Sequence, residues 1–198
     1  MSHYKKLVGD QCYLSPVSSE DAARMTQWLN DLQVMIPLGD EAYTPTSLEK
    51  TQEFIGEDIK KQRHIFSIVD LATDAHIGWC LLFDVDHINR SAMQGIAIGD
   101  KDYWGKGYGQ EAIRLLLDYG FNLLNLNNIN IMLGVFAFNE RAIHCYQKVG
   151  FREIGRRRQA RIIGGIKYDA VLMDILAEEF QPVYVNTFIE LSRLAGGS

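Results

Sequence analysis

No apolar run in the 198-residue chain is long enough to cross a bilayer. The longest spans only residues 77–83, whereas a membrane helix needs roughly 18 residues. Cysteine is scarce: the three present, Cys12, Cys80 and Cys145, are odd in number and widely spaced. That pattern argues against a disulfide framework or a cysteine zinc site. The five histidines show neither HxxxH nor HExxH spacing, so no metal site is expected. Proline occurs only four times, and no repeat, low-complexity stretch or linker divides the chain. The N-terminus shows no basic, apolar, small-residue leader. The expectation is a reduced, cytoplasmic domain with no membrane partner.

Hydrophobic residues make up 47% of the chain and charged residues 23%, enough apolar material for a real core. The net charge of −5 is unevenly spread. Residues 1–100 carry 8 basic and 15 acidic side chains, and residues 101–198 carry 12 and 10. An acidic first half is a poor nucleic-acid surface but a tolerable field for a cationic substrate. Nucleic acid is therefore not an expected partner. Strand alternation would put Arg156 and Arg158 on one face and Arg157 and Arg161 on the other, which splits the basic cluster and reads as a solvated edge hairpin.

The order of elements predicts an α+β (α/β) domain around a mixed sheet. A strand at residues 12–14 is followed by a helix that runs to about Leu32. Ser18 and Asp21 form its capping-box signature, and Ala22, Met25, Trp28 and Leu32 form its apolar stripe. Residues 33–46, with Pro37, Gly39 and Pro45, read as a loop, and residues 47–62 as a second helix. Strands are predicted at 64–71, 77–85, 92–98 and 129–136, and helices at 107–121 and 139–149. A hairpin over 151–176 turns at Gly164-Gly165.

The densest chemical signal is the run Trp104, Gly105, Lys106, Gly107, Tyr108, Gly109, Gln110, Glu111, Ala112, which follows a strand and opens a helix. Three glycines let the backbone turn tightly with no Cβ to block a ligand. The free N–H groups of the helix start, at the positive end of its dipole, suit a phosphate or pyrophosphate. The run is not a P-loop, because GxxxxGK[ST] is absent. Residues 107–112 satisfy GxGxxA, but eight residues separate Ile98 from Gly107 and the stretch at 127–130 holds no acid. That context does not fit a dinucleotide fold.

Residues 104–109 resemble the acyl-CoA motif [RQ]-x-x-G-x-[GA] of the GCN5-related N-acetyltransferase (GNAT) superfamily, with Trp104 in place of Arg or Gln. Asn139, Ala142, Tyr146, Gly150 and Phe151 resemble the family's second motif, N-x-x-A-x-x-x-Y-x-x-x-G-F. The likeness is strongest to the branch of ribosomal-protein N-terminal and polyamine (spermidine) acetyltransferases. It implies a mostly antiparallel central sheet flanked by helices over residues 1–176, with a C-terminal helical extension at 177–198. It further implies acetyl-CoA as cosubstrate and direct attack by a primary amine: a small polyamine, an amino sugar or a protein N-terminus.

The resemblance also implies site residues. Backbone groups of Ile96, Ala97 and Ile98 would pair with the pantetheine arm, and Asn139 would hydrogen-bond it. The turn from Trp104 through Gly105, Lys106, Gly107, Tyr108 and Gly109 would hold the phosphates, and Tyr146 would stabilise the departing thiolate. Many relatives carry a Glu on the fourth strand where this chain reads Met93, Gln94, Gly95. Asp84, Asp86 and His87 are the nearest replacements in sequence, with His87 and then Asp86 the candidate bases. A base matters because an ammonium of pKa about 10.4 is neutral only about once in 10^3 to 10^4 molecules at pH 7, a deficit of roughly 4–5 kcal/mol.

In the extension, Phe180, Tyr184, Phe188 and Leu191 fall at helical spacing, which suggests an amphipathic helix packing on a homodimer partner or an open sheet face. The resemblance also implies that the loop with Asp40, Glu41 and Tyr43 would lie over the acceptor. A non-catalytic acyl-CoA-binding sensor is the reading of a different class, favoured by the missing Glu and opposed by Tyr146 and Asn139.

Overall fold

A computed structural model describes residues 3–126, 131–182 and 184–185 of the chain. β1 (Leu7–Val8) and β2 (Cys12–Pro16) form an opening hairpin. Ser18 and Asp21 then close the expected capping box around a short 3-10 turn, and α1 (Ala22–Leu29) follows. The helix stops before Leu32 because Asn30 turns its side-chain amide back onto the Thr26 carbonyl. Asp31 caps a separate short helix, α2 (Leu32–Met35), in what reads from sequence as loop. Ser47 caps α3 (Leu48–Lys60).

Three antiparallel strands come next: β3 (His64–Asp70), β4 (His76–Asp86) and β5 (Ser91–Ile98). They lead into α4 (Tyr108–Asp118), β6 (Ile131–Phe136), α5 (Glu140–Val149) and the hairpin of β7 (Arg152–Ile163) and β8 (Ile166–Asp174). The sheet order is β1-β2-β3-β4-β5-β6-β8-β7, antiparallel everywhere except between β5 and β6. Among the described residues, no helix is long and apolar enough to cross a membrane.

Two cores hold helices to opposite faces of the sheet. On one face Ala112, Ile113, Leu116 and Leu117 of α4 pack with Leu14, Ile68, Ile77 and Cys80. On the other, Met25, Trp28, Met35 and Ile55 pack with Ile65 and the edges of Trp79 and Leu81. Consecutive β4 residues thus serve different cores, as strand alternation requires.

In β7 the paired arginines keep their expected faces, Arg156 opposite to Arg157 and Arg161, but their burial does not follow face alone. The register shifts between Arg157 and Arg161, where Gln159 takes a positive φ of 50°. That bulge adds two residues to β7, an even number that preserves the parity, so Arg157, opposite Ala170, and Arg161, opposite Tyr168, keep one face. Arg156, Arg157 and Arg158 are all exposed and Arg161 is buried. At the C-terminal end, Phe180 is buried with its ring 5.6 Å from that of Phe121. The amides of Tyr184 and Val185 donate to Asp118. The expected extension helix, including Phe188 and Leu191, lies otherwise outside the described residues.

Candidate active site

Between β5 and α4 the chain must reverse within a few residues, and the glycines supply the conformations it needs. Gly105 and Gly107 have φ of +72° and +96°, in the left-handed region. A Cβ on Gly107 would also come within 3.2 Å of the Gln11 side-chain nitrogen. The first intrahelical bond runs from the Glu111 amide to the Gly107 carbonyl. The amides of Tyr108, Gly109 and Gln110 therefore have no intrahelical acceptor and point out of the positive end of α4. The Tyr108 hydroxyl is turned away, donating to Asp70 at 2.7 Å, a bond that pushes its pKa up to about 12. Lys106 is exposed and its side chain does not line the groove described below.

Trp104, the departure from the motif, has a structural task. Its indole N–H donates to the Ile98 carbonyl at 2.6 Å, and the Arg141 guanidinium lies over its ring at 3.9 Å. One side chain thus closes the strand end and positions a cation beside the turn.

The neighbouring strand parts from β5 just above this turn. β6 pairs with it only at Ala92↔Ile131 and Met93↔Met132, then continues alongside β8. From Gln94 onward one edge of β5 is open. The Gly99 amide donates to Ile77 at 2.9 Å, so by alternation Ala97 and Gly95 also aim their backbone groups at β4. Gln94, Ile96 and Ile98 face the gap. This corrects the expectation for Ala97, whose peptide groups are committed to the sheet, and in part for Ile98, whose carbonyl Trp104 holds.

A groove of about 1180 Å3 runs along this edge. Tyr146 and Gln94 meet in its wall, 7% and 4% exposed. Burial drives the Tyr146 phenol well above its ordinary pKa, with the nearby Gln94 amide a smaller, opposing influence. Both amide atoms of Gln94 are buried without a protein hydrogen-bond partner. Asn139 also lines the groove, but its side chain caps α5 through the Ala142 amide and donates to the Pro37 carbonyl at 3.3 Å. Cys145 packs 3.7 Å from the position a Cβ on Gly109 would take, and burial raises its thiol pKa to about 11. Among the described lining residues the charged ones are Lys50, Arg63, Arg141 and Lys148, all basic.

The two candidate bases stand apart from this set. Asp86 is spent on the β4–β5 turn, accepting from the amides of Ile88 and Asn89 and from the Asn89 side chain. His87 sits in the same turn, and neither residue lines the groove. Asp86 pairs with Ser91, three residues from Gln94, which is about 10 Å along a strand. In the loop expected to lie over the acceptor, Tyr43 donates to the Ile162 carbonyl and receives the Arg161 guanidinium, strapping the loop to β7. The side chains of Asp40 and Glu41 lie outside the described residues.

Sequence reading missed two groups. Arg141 and Lys148 stand seven residues apart on α5, a spacing that could have marked them as one cationic stripe. Glu111 is buried in the first turn of α4 and accepts from the amides of Asp10, Gln11 and Cys12. No local pattern announces that contact across about a hundred residues. Away from the groove, the fold also brings His3, Asp21 and His76 together, with His3 Nε2 2.8 Å from Asp21.

The family model described as "Acetyltransferase (GNAT) domain" matches residues 11–152. The chain is 29% identical over 167 residues to the spermidine N(1)-acetyltransferase of Escherichia coli K12, covering 84% of this chain and 87% of that protein. It is 30% identical over 143 residues to a putative ribosomal N-acetyltransferase of Bacillus subtilis, covering 71% and 76%. A solved structure of the Vibrio cholerae spermidine N-acetyltransferase, in complex with CoA and spermine, is 28% identical with a TM-score of 0.77. It covers 86% of this chain and 98% of that one.

Proposed function

We propose that this chain, which belongs to the GNAT acetyltransferase family, moves the acetyl group of acetyl-CoA onto a small primary amine by direct attack in a ternary complex. The observation that carries this reading is the open edge of β5, which runs from Gln94 to the glycine turn with Tyr146 beside it. An extended pantetheine arm can add to that edge as a short strand, pairing with the groups that Gln94 and Ile96 leave free. Its pyrophosphate then falls at the turn, against the amides of Tyr108, Gly109 and Gln110. Arg141 and Lys148 supply the opposite charge.

Holding amine and thioester in line supplies most of the acceleration, roughly 7–11 kcal/mol for well-oriented reactants. The neutral amine nitrogen attacks the thioester carbon, the tetrahedral adduct loses an N–H proton to water, and the C–S bond breaks to release the amide and CoA thiolate. Tyr146 remains a phenol at any working pH, because burial has raised its pKa. Proton transfer to a thiolate, whose acid has a pKa near 8.5, is uphill, so Tyr146 stabilises the thiolate by donating a hydrogen bond. The buried, unpartnered Gln94 amide can orient the carbonyl or a water but cannot accept the proton. The relatives named for spermidine support a small amine as acceptor.

The test is thiol release from acetyl-CoA with a panel of primary amines. Tyr146→Phe should lower kcat by at least about tenfold and leave the acetyl-CoA KM within about twofold. Wild-type turnover in that variant would give the role to another group. Acetyl-CoA binding without release for any amine would favour the sensor.

A further inference from the structure

The groove does not end at Tyr146. It passes through the gap between β5 and β6 to the face covered by α1, α2 and α3, where the acceptor would enter. Its floor there is Trp79, Leu81 and Phe83 of β4 with Met93 of β5, and its walls include Met35 and Phe54. The register Leu81↔Gly95 and Phe83↔Met93 puts these side chains in one patch. Phe83 and Phe54 are 40% and 45% exposed, as apolar rings awaiting a partner would be. A side chain on Gly95 would meet Leu81 Cδ2 at 3.0 Å, so the floor is narrow and closely packed.

The charges at this end do not suit a polyamine. Lys50 and Arg63 line it, Arg63 already neutralised by Asp58 at 2.8 Å, and no described lining residue is a carboxylate. Four described acids of the first half are engaged elsewhere. Asp21 holds His3 and Ser67, Asp31 holds Lys101, Asp70 holds Tyr108, and Asp100 holds Arg24. A second ammonium on the acceptor would lose its water against apolar side chains, with Lys50 as its charged neighbour. An unpaired charge in such a place is strongly disfavoured.

From this juxtaposition we propose that the acceptor is a primary monoamine carried on an aromatic or branched apolar group, which rests on Trp79, Leu81 and Phe83. The proposal rests on the acetyltransferase reading and deepens it. It also bears on deprotonation where no described lining residue is a carboxylate: an apolar site disfavours the ammonium form and selects the free amine. The free amine attacks and its proton leaves with water as the product amide forms. No oxidant or further reactant is needed.

Two measurements test it on the full chain: kcat/KM by thiol release, and amine binding by titration calorimetry in the presence of CoA, each with 2-phenylethylamine and with spermidine. We expect 2-phenylethylamine to exceed spermidine by about tenfold or more in both. Phe83→Glu places a carboxylate on the half-exposed floor and should move the ratio toward spermidine by a similar factor. A wild-type preference for spermidine, or a ratio that Phe83→Glu leaves unmoved, overturns the proposal. Tight 2-phenylethylamine binding with no thiol release would uphold the pocket and sink the transferase reading instead.

Discussion

Glu111 offers the sharpest test of how the glycine turn is held. Its carboxylate accepts from the amide of Asp10, from that of Gln11 at 2.9 Å and from that of Cys12 at 2.8 Å. It therefore ties the first turn of α4 to the β1–β2 hairpin. A hydrogen bond to a charged acceptor is worth about 1.5–3 kcal/mol net, and a buried donor left without a partner costs about 1–3 kcal/mol. Asp10 and Gln11 are exposed and can turn to water after Glu111→Ala, whereas Cys12 is fully buried and cannot. One orphaned amide and two weakened ones give a loss of about 3–5 kcal/mol, a large share of the roughly 5–15 kcal/mol that holds a domain. Glu111→Gln should recover only part of it, because the amide NH2 would face converging donors. Urea unfolding reads the difference directly. With an m-value of about 1–3 kcal/mol per molar, the midpoint should fall by at least about 1 M for the Ala variant. A loss under about 1 kcal/mol, or full recovery with Gln, would refute the reasoning.

Three further outcomes follow from the geometry. Gly107→Ala forces a side chain onto a φ of +96° and against Gln11. It should weaken acetyl-CoA binding by about tenfold in calorimetry, and an unchanged Kd would remove the turn from the site. Arg141→Ala should raise the acetyl-CoA KM several-fold with kcat little changed, and the effect should shrink in high salt; a fall in kcat alone would contradict a binding role. His76 is held neutral because burial lowers its pKa from 6.5 to about 4. The unfolded chain then binds the extra proton between those values, so stability should fall by up to about 3 kcal/mol as pH drops from 6.5 to 4. His76→Gln should flatten that slope in pH-dependent melting, and an equal slope in both proteins would place the linkage elsewhere.

What could be read from the chain alone was whatever local chemistry decides. The capping box of Ser18 and Asp21 forms as its spacing implies, and the stripe of Ala112, Ile113, Leu116 and Leu117 enters the core. The glycine turn is legible because no other residue takes those backbone angles cheaply. The rest depends on long-range partners. β1 is two residues long and exists only through its pairing with β2. The bulge at Gln159 adds two residues to β7 beyond what strand alternation predicts, and the orientation of each β5 peptide is fixed by its register with β4. Asp86 and His87 adjoin the right strand in sequence, but the turn that joins β4 to β5 carries them beyond its working edge.

The acidity of the first half shows why a sum of charges does not describe a site. Net charge sets the field that a ligand meets at a distance, and that field is screened within about 8–10 Å at ordinary salt. Within the groove only unpaired, inward-facing charge matters. Asp31, Asp58, Asp70 and Asp100 contribute to the count of 15 acids, yet each is joined to a partner in the fold. The described charges that face the groove are basic, and two of them, Arg141 and Lys148, stand on the helix that packs against α4. They suit the phosphates of a cosubstrate rather than an amine. At the proposed acceptor end Trp79, Leu81 and Phe83 set apolar surface beside Lys50 and Arg63, so on this proposal selection there turns on shape and desolvation. A cationic amine would be drawn by the field outside and judged by the floor within.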